Sequence, residues 1–174
     1  MAQLSRMIEV PDDSGLLGVV DPDAYATFVS ENWTLEQLFG HFRSEMSKRT
    51  LLLWGTGMEN TWHVEITDSA NSSRPSGFRR TSGPIRVTKG RLLLVNYETL
   101  TMAAQFVYVS LPEPYLVDLL VDVPSGDYSC EIAQLDEPDT SDDDSGDAAG
   151  FVLKLTPGQE HEPWSAPAWF ELDG

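Results

Sequence analysis

Three arginines, Arg74, Arg79 and Arg80, fall close together with Phe78 among them, in a stretch from Asp68 to Gly83 rich in Ser, Asn and Gly. Guanidinium groups carried on a surface loop suit an anionic ligand, or an acidic patch on the same protein. An enzyme or small-ligand site there would require Arg74, Arg79 and Arg80 to converge with His63 or Trp54. A solvated loop is the plainer alternative, because the glycines are not spaced as an anion-binding nest. The three histidines, His41, His63 and His161, have no His or Cys at metal-ligand spacing, and Cys130 is the only cysteine. That arrangement excludes an internal disulfide and a cysteine-based zinc site, so a buried, inert thiol is expected. The segment Gly55-Thr56-Gly57 lacks the further glycine, lysine and following helix of a phosphate loop. Asp142-Asp143-Asp144-Ser145-Gly146-Asp147 resembles a calcium loop, but placing Gly146 at the sixth position puts Val152 at the twelfth, where a bidentate glutamate is required. No nucleophile elbow, Walker sequence or dinucleotide fingerprint is present, and we expect a non-enzyme without cofactor or metal.

The stronger signal is charge. The net charge is −17, from 28 acids and 11 bases. Residues 1–42 carry seven acids and one base, residues 43–91 four acids and nine bases, and residues 92–174 seventeen acids and one base. Such a molecule is repelled by a nucleic-acid backbone or an anionic membrane and attracted to a basic protein. The densest acidic run, 136–150, is poor in apolar residues and is expected to be a flexible loop. Its Asp136, Glu137, Asp139, Asp142, Asp143, Asp144 and Asp147 are the candidate contacts to such a partner, together with Trp164 and Trp169, since tryptophan is enriched at interface hot spots.

These groups need a scaffold. Arg91–Phe106 is the most apolar stretch; its Leu92–Val95 run reads as a central strand, and Thr99–Phe106 as a neighbouring one, with a turn or bulge at Asn96–Glu98. Leu16–Val20, Leu51–Trp54, Thr61–Thr67, Ile85–Val87, Tyr128–Ala133 and Phe151–Leu155 read as further strands. Trp62, Val64 and Ile66 alternate with polar residues, as do Tyr128, Cys130 and Ile132, the period of a half-buried strand. Gly55–Asn60 and Pro124–Asp127 are expected to close hairpins. Tyr115–Val123 fits either a helix or a strand, and the strand is expected. Thr34 and Gln37 form a capping box for a helix from Leu35 to Ser47, and Asp21-Pro22 suggests a shorter helix before it, with Tyr25, Phe28 and Val29 on one face. The tail from Pro157 is expected to be extended and pinned by its aromatics.

The predicted fold is mainly β (α+β): an antiparallel β-sandwich or rolled sheet with one or two helices near the N-terminus, forming a single domain over 1–174. The longest apolar runs are four or five residues, against the ~20 of a membrane helix. The opening MAQLSRMIEV has no apolar signal core, and a cytoplasmic location is expected.

The combination Trp33-Thr34-Leu35-Glu36-Gln37-Leu38, Leu53-Trp54-Gly55-Thr56-Gly57 and Asn96-Tyr97-Glu98 resembles small uncharacterised bacterial cytosolic proteins of immunity or inhibitor type. The hairpin Val123-Pro124-Ser125-Gly126-Asp127-Tyr128 is similar to turns in β-sandwich nuclease inhibitors of the competence-J type. The resemblance covers about a third of the chain and carries over no functional position. It implies a small cytosolic inhibitor; taken with the charge, the expected function is an acidic immunity-type protein that neutralises a basic toxin or nuclease by electrostatically steered docking. The alternatives are the anion site at Arg74, Arg79 and Arg80, or acidity that serves only solubility or a salty cytoplasm.

Overall fold

The unbroken apolar runs and the alternating ones belong to two different sheets. The computed structural model describes residues 5–12, 14–68, 78–109, 111, 114–135, 150–158 and 162–170. An outer sheet has the order β1 (Ser5–Asp12), β4 (Asn60–Thr67), β9 (Phe151–Pro157), β8 (Gly126–Gln134), β5 (Arg79–Val87). A middle sheet has the order β3 (Leu51–Gly55), β2 (Leu16–Val20), β6 (Arg91–Asn96), β7 (Leu120–Asp122). Every pairing is antiparallel except that of β4 with β9, so the mainly β sandwich expected from the sequence is present.

Helices α1 (Leu35–Ser47) and α2 (Tyr97–Gln105) cover the far face of the middle sheet, making a third layer. Leu17, Val19, Leu52, Trp54, Leu92 and Leu94 face the outer sheet, while Leu16, Val20, Leu51, Leu53, Leu93 and Val95 meet Leu38, Phe39, Phe42 and Met46 of α1 and Leu100, Ala103 and Ala104 of α2. A strand buried on both faces has no polar side to display, which is why LLGVV, LLLW and LLLV run without interruption. Among the described residues the outer sheet is covered on one face only, and β4 and β8 alternate accordingly. Each fully buried Leu or Val contributes about 1.5–3 kcal/mol of burial free energy.

Helix α1 starts where its capping box places it: Gln37 N donates to Thr34 Oγ1 at 3.1 Å, and Thr34 N donates to Gln37 Oε1 at 3.0 Å. Four other expectations are corrected. Thr99–Phe106 is not a strand but most of α2: Asn96 Oδ1 accepts from Thr99 N at 2.8 Å as its cap, and Leu100, Ala103 and Ala104 turn one helical face to the core. Asp21-Pro22 starts only a single turn, because the amides beyond it bond to distant partners, Ala26 N to Glu45 Oε1 and both Val29 N and Ser30 N to Ala104 O. The 55–60 and 124–125 connections are not hairpins; each crosses from one sheet to the other. Most of Tyr115–Val123 is a 3-10 helix (Pro114–Leu119), with only Leu120–Asp122 forming a strand, β7. Leu116 and Leu119, three residues apart, share one side of that 3-10 helix.

Over residues 162–170 the tail is pinned to the body, as its aromatics suggest. Gly55 N donates to Ala168 O at 2.8 Å and Ala168 N to Leu53 O at 2.9 Å, a single bridge on the edge of β3. Trp164 Nε1 donates to Ser82 O at 2.9 Å. Two glycines make room for it: a Cβ at Gly83 would lie 2.5 Å from the Trp164 indole, and one at Gly55 2.5 Å from Trp169 O.

Candidate functional site

Asp136, Glu137, Asp139, Asp142, Asp143, Asp144 and Asp147 lie outside the described residues, as do Arg74 and His161. The remaining candidates are placed. Arg79 and Arg80 are consecutive on β5, so their side chains leave opposite faces of the strand. Arg80 Nη1 lies 3.8 Å from Glu131 Oε2 on the neighbouring strand. Arg79 runs inward: its guanidinium carbon is 4.4 Å from the Trp169 ring centre and 5.2 Å from that of Phe78, its Nε donates to Gln134 Oε1 at 2.7 Å, and Nη2 donates to Gly55 O at 3.2 Å. Burial draws the Arg79 pKa below its ordinary value, and two aromatic faces with two oxygen acceptors compensate the charge. Arg79 and Arg80 therefore converge neither with each other nor with His63, whose Nε2 is 4.0 Å from Glu9 Oε1. Trp54, also a possible member of that site, is fully buried between the sheets.

Trp169, whose ring lies against Arg79, has a left-handed backbone conformation, φ 56°, which a bulky side chain adopts only under tertiary constraint. Trp164 and Trp169 are both half-buried, anchoring the tail. Beside Trp169 an open depression of about 320 Å³ is lined by Gly15, Gly55, Gly57, Glu59 and Phe170, among others. Among the described residues Glu59 is the one ionisable group in its lining, so they supply no acid–base pair there. Among the described residues no three His, Cys, Asp or Glu side chains gather as a metal-ligand set. Cys130 is fully buried, and burial pushes its thiol up to about 12.

Behind the Arg79 clamp lies a polar junction that no sequence motif announces. Gln134, fully buried, donates through Nε2 to Thr56 O at 2.8 Å. The Thr56 hydroxyl lies 2.7 Å from Asp12 Oδ2 and 2.8 Å from Met58 O, and Trp62 Nε1 donates to the same Asp12 oxygen at 3.0 Å. Asp12 Oδ1 accepts from the amides of Ser14, Gly15 and Leu16 at 3.1, 2.6 and 3.1 Å. One buried carboxylate thus ties β1, β2, β4 and the segment after β3 together at one end of the sandwich. The only sequence signal for it is the turn at Pro11–Gly15.

Several basic residues of the central third are already spent on neighbouring acids. Arg86 Nε donates to Asp127 Oδ1 at 2.6 Å, and Arg91 grips Asp23 through two bonds of 2.8 and 2.9 Å. That bidentate contact holds the Asp23 carboxyl below its ordinary range despite partial burial. The acidic segment from Leu92 to Val123 has no such neutralisation from within: it contains Glu98, Glu113, Asp118 and Asp122 and not one Lys, Arg or His. It also contains Met102, Val107, Tyr108 and Val117, four of the eight large apolar side chains exposed among the described residues. Sequence reasoning missed this surface because it assigned Thr99–Phe106 to a buried strand. The absence of basic residues over thirty positions was the available signal.

No helix among the described residues is long and apolar enough to cross a membrane. No protein-family model and no curated protein sequence matches the chain. Its fold is similar to two solved structures: the product of crocagin biosynthetic gene J, with a TM-score of 0.62 and 17% identity, and ComJ from Bacillus subtilis, inhibitor of the DNA degrading activity of NucA, with a TM-score of 0.56 and 13% identity. In each case the match covers 91% of this chain and 100% of the other, so the three-layer architecture is a shared fold and not a local coincidence.

Proposed function

We propose that this chain is an inhibitor-type binding protein that docks on a basic protein, most simply a nuclease, and has no catalytic activity of its own. The observation that carries the reading is the combination of a fold similar to that of ComJ, a nuclease inhibitor, with a net charge of −17. A nuclease cleft is electropositive because it binds phosphates, and a polyanionic protein of complementary shape competes for it. On this reading the carboxylates from Asp136 to Asp147 steer the encounter. Asp23, Asp127 and Glu131 contribute little, since Arg91, Arg86 and Arg80 already sit against them. The half-buried Trp164 and Trp169 hold the tail against β5 and the edge of β3, and on this reading contribute through their exposed edges.

The test is capture of partners on the immobilised full chain, identification and purification of the captured protein, and calorimetry of the purified pair across a range of salt. A basic partner is expected, with affinity falling about tenfold or more as ionic strength rises from low to physiological values, and with the partner's activity, DNA degradation if it is a nuclease, falling in proportion to complex formed. An acidic partner, affinity indifferent to salt, or an undiminished partner activity overturns the reading.

A further inference from the structure

We infer that the groove between α2 and the 3-10 helix Pro114–Leu119 is the apolar contact site for that basic partner, receiving an aliphatic or aromatic side chain flanked by Lys or Arg. The inference rests on the reading above that the partner is a basic protein, and it names where affinity, as distinct from steering, resides.

The groove has a volume of about 390 Å³ and is only partly open to solvent. Leu116, Leu119 and Met102 supply its apolar lining, while Glu98 and Asp118 put a carboxylate in that lining from either element. At its base Asn96 Nδ2 donates to Pro11 O at 2.8 Å, and the same Asn96 caps α2, so the lining residues are held on fixed backbone. Met102 is 48% exposed although it lies on the helix that covers the middle sheet. Val107 and Tyr108, which follow α2, are 70% and 79% exposed, and Val117 on the 3-10 helix is 55% exposed. Met102 is the exposed apolar residue of the lining itself, and Val107, Tyr108 and Val117 add exposed apolar surface on the chain that joins and forms its two walls.

Charge decides the class of occupant. Glu98 and Asp118 line the groove and the segment from Leu92 to Val123 contains no basic residue, so a neutral or acidic partner would bury those two carboxylates without counter-charge from that segment. Arg6 of β1 reaches this side of the fold, and it is committed elsewhere: its Nη1 donates to Leu120 O at 2.5 Å, and Nη2 lies 3.5 Å from Asp118 O. Those bonds leave the Glu98 and Asp118 carboxylates to an incoming Lys or Arg. A side chain carrying both an apolar stem and a positive end, or two neighbours dividing those roles, satisfies the groove and its rim together.

The experiment titrates the isotope-labelled full chain with a synthetic peptide of alternating leucine and lysine and, separately, with oligolysine of equal charge. The alternating peptide is expected to move the methyl resonances of Met102, Val107, Val117 and Leu119, and oligolysine is expected to leave them in place. Met102→Ser with Tyr108→Ser, both exposed and so compatible with folding, should weaken the alternating peptide at least about tenfold at an unchanged melting temperature. Glu98→Gln with Asp118→Asn should weaken it several-fold at low salt only. Equal affinity of the Met102/Tyr108 variant and the wild type overturns the assignment, as does oligolysine moving the same methyls to the same extent. A wild-type dimer that the variant converts to monomer also overturns it, since a second copy then covers the face. The basic-partner reading fails separately, in the capture experiment, by an acidic partner or salt-independent binding.

Discussion

Asp12→Ala should be among the most destabilising single substitutions in this protein. Asp12 is 2% exposed and accepts five hydrogen bonds, from three amides, the Thr56 hydroxyl and the Trp62 indole. Loss of the carboxylate affects these donors unequally. Ser14 N and Gly15 N are near enough to the surface to turn to water, and the Thr56 hydroxyl can rest on Met58 O alone. Leu16 N and Trp62 Nε1 are buried, and each has Asp12 as its acceptor among the described residues. A buried donor left unsatisfied costs about 1–3 kcal/mol, so two of them give about 2–6 kcal/mol, a large part of the roughly 5–15 kcal/mol that holds a domain folded. Equilibrium urea unfolding of the variant and the wild type measures the difference, with the slope checked for unchanged two-state behaviour. A double-mutant cycle with Trp62→Phe, which deletes one stranded donor, should return a coupling of about 1–2 kcal/mol. A cost under about 1 kcal/mol for Asp12→Ala, or additivity in the cycle, would refute the claim that this junction depends on a saturated buried carboxylate.

Three further outcomes are expected. Arg79→Ala removes the cation between Phe78 and Trp169 and strands Gln134 Oε1, and should cost about 1–3 kcal/mol while exposing the 162–170 tail to limited chymotrypsin digestion; an unchanged digestion pattern would show the tail is held without it. Because Asp23 has its pKa lowered by Arg91, the unfolded chain binds the proton more readily as the solution turns acidic. The stabilisation from this pair is therefore complete above the ordinary carboxylate range and is lost as pH falls through the depressed value. Asp23→Asn should accordingly lower stability by up to about 1 kcal/mol at neutral pH and by nothing in strong acid, measured as urea midpoints at both. Cys130, buried with its thiol pushed up to about 12, should resist a thiol-specific chromogenic reagent in the native protein and react once the chain is unfolded in guanidinium; fast reaction in the native state would contradict its burial.

Elements whose cause is local are legible in the residues alone. The capping box at Thr34 and Gln37 fixed the start of α1, and the two periods of apolar residues separated strands with one covered face from strands with two. The charge imbalance is composition and needs no coordinates. Tertiary structure alone decided the rest. Thr99–Phe106 carries apolar residues that suit a strand as well as a helix, and it is helix because Asn96 caps it and the middle sheet offers a face for Leu100, Ala103 and Ala104. Asp21-Pro22 carries a helix-start signal that fails because Glu45 and Ala104 take the amides a helix would have used. Arg79 looks in the sequence like a free cation on a loop, yet in the fold it is clamped by a tail ninety residues away in the chain. Hydrogen-bond partners and aromatic faces that lie far apart in sequence have no local signature, because the chain specifies them only through the sheet order that brings them together.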